Sequence, residues 1–152
     1  MDFLEKEFQI ADTRFKVEKF QALEGWRILE SIRAEIGKAV DADLLRVSGE
    51  AIKVAEGEDS QHKQVVAFVR LILGLSEDFV DRLRGTMNKV TYFKNRVAKD
   101  WMEVSQSEST AYMGLGPVDI YMLLGRSLAV NFFDSFQSLL GPISLDHQAS
   151  SQ

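Results

Sequence analysis

Residues 7–40 read EFQIADTRFKVEKFQALEGWRILESIRAEIGKAV, and the spacing of their apolar residues changes partway along. Phe8 and Ile10, then Phe15 and Val17, alternate with polar residues on either side of Ala11-Asp12-Thr13. This pattern predicts a β-hairpin with strands at about 7–11 and 14–19 and one apolar face. From Ala22 onward the steps lengthen: Ala22, Trp26, Leu29, Ile32, Ile36 and Val40 recur every three or four residues, with Gln21, Glu24, Glu30 and Lys38 opposite. An amphipathic helix over about 21–38 follows, with Trp26 expected in the core. Gly25 weakens this helix by about 1 kcal/mol relative to Ala, and Gly37 helps to end it. A hairpin running into a helix sets the expected class as α+β.

Further along, residues 41–58 have no decisive period, since Leu44, Leu45, Val47, Ile52 and Val54 are interrupted by Gly49 and Gly57. At Ser60 a helix is expected, with Glu58 and Asp59 placed where acids favour an N-terminus. Val65, Val66, Phe68, Val69, Leu71, Ile72 and Leu73 cover nearly every side of it, as in a buried helix. Gly74 breaks it, and Ser76 can cap a third helix whose first turn holds Glu77 and Asp78 and whose inner stripe is Phe79, Val80, Leu83 and Met87. Residues 90–104 read either as a second hairpin or as a helix through Trp101. Ser105 to Thr110 is a polar loop.

Pro117 opens the last helix, and Gly141-Pro142 is expected to stop it. Val118, Tyr121, Met122, Leu128, Ala129, Phe132, Phe133, Phe136, Leu139 and Leu140 fall on one wide arc of the helical wheel. The opposite arc is only weakly polar, so the helix is either central to the domain or covered by something else. The expected organisation is a mostly helical single domain over 1–143 and a short flexible C-terminal tail over 144–152.

The chain has 152 residues, no cysteine and a net charge of −5, with 45% hydrophobic residues. Its length supports one core without disulfides or thiolate metal sites. The opening residues lack the basic start and apolar run of a signal peptide, and Arg70 and Arg126 interrupt the apolar stretches, so neither secretion nor a membrane partner is expected. Arg82, Arg84, Lys89, Lys94, Arg96 and Lys99 form a slight basic excess, read as a solvated face rather than a nucleic-acid surface.

Catalytic and metal-binding patterns are sparse. His62 with Glu58 and Asp59 is the nearest approach to a metal cluster, but the helix dipole explains those acids better. Ser48-Gly49 and Gly125-Arg126-Ser127 are only fragments of a nucleophile elbow. Gly114-Leu115-Gly116 precedes a helix without a Walker lysine or Rossmann spacing, and reads as a loop that positions that helix. Glu103, Glu108 and Asp119 offer carboxylates such as any acidic chain contains. The expectation is therefore no enzyme, no cofactor and no metal. For Tyr121, Phe132, Phe133 and Phe136 the ordinary reading is core packing. The sharper one makes part of the stripe a binding groove or self-association face, with Tyr121, Leu128, Phe132, Phe133 and Phe136 as candidate partner-binding residues, because aromatics dominate interface hot spots.

Three passages resemble the tail assembly chaperone family of long-tailed bacteriophages and prophages: Phe8-Gln9-Ile10 through Phe15 to Trp26; Ala111-Tyr112-Met113-Gly114-Leu115-Gly116-Pro117; and Ile120 to Leu124 followed by Leu128-Ala129-Val130-Asn131-Phe132-Phe133. The third is the closest match. The likeness spans both ends and is thin over 41–104. The resemblance implies a factor in the host cytoplasm that binds the tape measure protein, keeps its helices from aggregating and helps the tail tube protein polymerise around it. Self-association is compatible with that role. The competing expectation is a structural connector or completion protein retained in the virion.

Overall fold

The computed structural model describes residues 6–38 and 60–150, with residues 60–61 and 136–150 in backbone only. The segment 41–58, left open by its sequence, lies outside the described residues. The elements in chain order are β1 (Glu7–Ile10), β2 (Thr13–Val17), α1 (Ala22–Lys38), α2 (Ser60–Leu73), α3 (Glu77–Met87), β3 (Thr91–Lys94), β4 (Met102–Glu103), a 3-10 turn at Val104–Gln106, α4 (Glu108–Ala111) and α5 (Pro117–Ser150). The class is α+β, mostly helical, with one antiparallel sheet of order β1-β2-β3-β4.

The opening hairpin forms as its period-two pattern requires. Phe8 pairs with Phe15 and Ile10 with Thr13, which leaves Ala11 and Asp12 as the turn. Ala11 adopts a φ of 52°, in the left-handed region an alanine rarely enters. The Phe8 and Phe15 rings stack with centroids 5.9 Å apart. Thr13, Phe15 and Val17 are all buried on one face of β2. β3 pairs with β2 through Phe15 and Phe93, and with β4 through Phe93 and Met102. Residues 90–104 are thus a second hairpin with a long loop, and the alternative helix through Trp101 does not form. Asn95 shapes that loop: its Oδ1 accepts from the backbone N–H groups of Val97 and Ala98, while its Nδ2 donates to the Thr110 carbonyl.

The caps follow the sequence closely. Ser76 Oγ accepts from Phe79 N–H at the start of α3 and donates to Glu35 Oε1 at 2.9 Å, tying α3 to α1. At the start of α5, Asp119 reaches back to accept from the Gly116 N–H at 2.9 Å, one half of a capping box. Gly114, at φ 81°, turns the chain into that cap.

α5 divides the molecule. Leu123 packs with Phe15, Phe93, Ala98, Val104 and Ala111 beneath the sheet. Its neighbour Leu124, with Leu128, Ala129, Phe132 and Phe133, joins Ile28, Ile32 and Ile36 of α1, Phe68 and Leu71 of α2 and Phe79, Leu83 and Met87 of α3. Arg126 lies over the Phe8 ring at 4.3 Å, so a cation of α5 also packs on the hairpin. Asn131 fastens the link between hairpin and α1. Its Oδ1 accepts from Phe20 N–H at 3.0 Å and its Nδ2 donates to the carbonyls of Glu18 and Ser127.

Ser105 to Thr110, expected as a polar loop, instead holds most of the 3-10 turn and of α4, and two further expectations need correction. Trp26 is 57% exposed rather than in the core. At about 100° per residue, Trp26 lies roughly 120° around α1 from Ile32, while Gly25 lies within about 20° of it. The buried stripe is Ile28, Ile32 and Ile36. Gly25 therefore faces inward, where a Cβ would sit 3.9 Å from Phe132 Cε1. The last correction concerns α5, whose helix runs through Gly141-Pro142 to Ser150 instead of stopping. A proline removes one intrahelical donor, and a helix can lose that bond and continue.

The tightest contact joins α2 to α5. A Cβ built on Gly125 would lie 2.7 Å from Val69 Cγ2 and 2.9 Å from the Val65 carbonyl oxygen. Because one of those neighbours is backbone, the helices themselves must separate to admit a methyl group. Gly125→Ala is expected to lower stability by about 1–3 kcal/mol, read from urea unfolding midpoints at unchanged slope. Asn131→Ala should cost a similar amount, because it leaves the Phe20 N–H and the Glu18 carbonyl without their side-chain partner.

Candidate functional site

The residues singled out from sequence divide between two environments. Leu128, Phe132 and Phe133 are 1%, 4% and 8% exposed and belong to the helical core, so they present no free surface. Of the two readings of this arc, core packing is the one these residues follow, in one cluster with residues of α1, α2 and α3. The Phe136 side chain lies outside the described residues. Tyr121 is different: at 38% exposed it stands on the rim of an open groove.

That groove, of about 540 Å³, lies where the α2–α3 turn faces the first turns of α5. Ile72 and Leu124 form its floor, Leu75, Val80 and Ile120 its walls, and Leu73 and Tyr121 its rim. Leu73 is 60% exposed, an unusual cost for a leucine at the end of an otherwise buried helix. Local sequence explains the shape. Gly74 and Leu75 reverse the chain, with their N–H groups bonded to the Leu71 and Ile72 carbonyls, and Ser76 then starts α3 at once. The short reversal leaves Leu73 outside the contact made by Leu71 and Ile72. Pro117 fixes the start of α5 on the opposite side.

The α3 side of the groove is acidic. Glu77, Asp78 and Asp81 line it, all exposed, together with Arg84. Arg84 is already engaged: it donates to Asp81 Oδ1 at 3.0 Å and to Tyr112 Oη at 3.2 Å, and its Nη1 is 3.0 Å from Glu108 Oε1. Burial opposes its charge, but the hydrogen bonds it donates to Tyr112, Asp81 and Glu108 outweigh that penalty and raise its pKa above the ordinary arginine value. Asn88 completes the knot by donating to Glu108 and Tyr112 at 2.9 and 2.8 Å. Tyr112, from a passage quoted above for its resemblance, thus anchors α4 to α3.

A second recess, also of about 540 Å³, lies beside β3 and β4 and is lined in part by Tyr92, Trp101 and Glu103. Its aromatic ring is occupied from within: Lys16 and Lys94 place their ammonium groups 4.8 and 4.9 Å from the Trp101 centroid. Trp101 is therefore a half-buried platform for the protein's own lysines. His62 is exposed, and among the described residues no group of three or more His, Asp or Glu side chains is placed to hold a metal ion. Among the described residues no helix is long and apolar enough to cross a membrane.

Leu73, Leu75, Val80 and Ile120 were not singled out from sequence as partner-binding residues. The available signal was the continuation of the apolar run to Leu73 and Leu75 across Gly74, directly before a strong cap. No family model matches this chain, and no curated protein or solved structure matches it either.

The two environments should separate by mutation. Tyr121→Ala, at the rim, should change the unfolding free energy by no more than about 0.5 kcal/mol, whereas Phe132→Ala should cost about 3–5 kcal/mol. Chemical denaturation of both variants would check this contrast, and equal losses would place Tyr121 in the core.

Proposed function

We propose that this chain is a non-enzymatic tail assembly chaperone of a long-tailed bacteriophage, acting in the host cytoplasm, and that it holds the tape measure protein while the tail tube protein assembles around it. The observation that carries this reading is the open apolar groove between the α2–α3 turn and α5, with Leu73 and Tyr121 exposed at its rim. A tape measure protein presents long apolar helical stripes before the tube encloses it. A groove between helices is suited to seating such a stripe. Holding needs complementary surface and no energy source: binding the soluble form of a client favours that form by mass action.

The passages that carry the resemblance have identifiable structural work, which adds support. Asn131 ties the hairpin–α1 link to α5, and Gly114 to Pro117 set the start of α5 and hence one wall of the groove. The hairpin and the closing helix are thereby positioned together. In this reading Leu128, Phe132 and Phe133 belong to the helical core and do not touch the client.

Co-expression with the tape measure protein encoded by the same phage tests the function. The expected outcome is a soluble tape measure protein that co-purifies with this chain, with retention lost in Leu73→Asp and Tyr121→Asp variants whose circular dichroism spectra are unchanged. A tape measure protein that stays insoluble, or this chain found at stoichiometric level in purified virions, would contradict the chaperone reading.

A further inference from the structure

We infer that the groove selects an amphipathic helix whose apolar stripe is flanked by lysine or arginine, so that the client segment is a basic amphipathic helix. This rests on reading the groove as a client seat and adds the chemistry of what sits there. The groove combines an apolar floor with a one-sided charge pattern: Glu77, Asp78 and Asp81 lie along it, and among the described residues Arg84 is the one cation lining it. Arg84 is committed to Asp81, Glu108 and Tyr112, so it cannot balance the remaining acids. Among the described residues Glu77 and Asp78 make no ion pair of their own, and both are exposed.

Their position in the first turn of α3 gives them a local role, since carboxylates there favour the helix N-terminus. The same geometry places them where the α2–α3 turn borders the apolar recess. A helix lying over Leu73, Leu75 and Tyr121 would bring its flanking residues against this edge. Acidic flanks would meet two exposed carboxylates that make no ion pair among the described residues, although Arg82 donates to the Asp78 carbonyl nearby, and basic flanks would pair with them. Such complementarity raises association rate and discriminates between partners more than it raises raw affinity. The apolar stripe supplies the contact area, and the charge pattern chooses which stripe and which orientation are accepted.

Two labelled synthetic peptides provide the test, both helical, with leucines at i, i+3, i+4 and i+7, one flanked by lysines and the other by glutamates. Binding to the full chain is followed by fluorescence anisotropy at several salt concentrations. The lysine peptide is expected to bind about tenfold more tightly at low salt, with the difference shrinking as salt screens the rim. The pair Glu77→Lys and Asp78→Lys should reverse the preference, and the milder pair Glu77→Gln and Asp78→Asn should abolish it if the reversal disturbs α3. Leu73→Asp should weaken both peptides.

Equal affinities, or a lysine preference unchanged by the rim variants, would overturn the inference. Binding of neither peptide while the tape measure protein still co-purifies would also overturn it, and would leave the chaperone reading standing. Selective lysine-peptide binding without retention of the tape measure protein would support the groove chemistry and count against the chaperone reading. A dimer that dissociates in Tyr121→Asp, with no peptide binding, would assign the groove to a second copy of this chain and overturn the inference.

Discussion

The approach of α2 to α5 at Gly125 is the constraint on which the other contacts depend. Only a residue without a Cβ lets the Val65 backbone and the Val69 side chain come so near to α5. With α2 held at that distance, Phe68 and Leu71 reach the side of α5 that carries Leu124, Leu128 and Phe132. The sheet then occupies another side, through Leu123 and the contact of Arg126 with Phe8. α5 becomes the shared wall of both cores, which is why its polar face is so small. The groove is a consequence of the same arrangement: the α2–α3 turn and the start of α5 diverge from this contact and leave Ile72 and Leu124 at the bottom of an open recess.

Much of this architecture was legible because local signals and tertiary packing agree. The change from period two to three-and-four spacing at Ala22, the Ser76 cap with its two acids, and Pro117 each specify an element by backbone chemistry alone. The orientation of α1 was not legible. Ile32 and Ile36 fit both a stripe containing Trp26 and one containing Ile28, and the choice between them depends on Gly25 facing Phe132 across a long sequence separation. Residue size favoured the tryptophan, but close packing favoured the glycine.

The candidate site was legible only in part, and for a related reason. Aromatic density on a helix identifies apolar surface without saying which element covers it. On α5 the density marked Phe132 and Phe133, which three other helices cover, as well as Tyr121, which stays at a rim. The remaining groove residues come from two elements joined by a tight reversal, and no period within either one reveals that they meet. Leu73 is the informative case, since a leucine left exposed beside a capped turn is costly to solvate and gains most from a partner.

Among the described residues most of the buried apolar side chains fill two cores around α5, and the proposed client seat is the groove with Leu73 and Tyr121 at its rim, while Leu23, Trp26, Val97 and Val118 are exposed outside it. Hydrogen–deuterium exchange of the full chain, with and without tape measure protein, tests that seat most directly. Added protection is expected only at about residues 72–81 and 117–124, with the sheet and the buried turns of α5 around Phe132 unchanged. Protection centred on β3 and β4, or spread uniformly over the chain, would contradict the assignment.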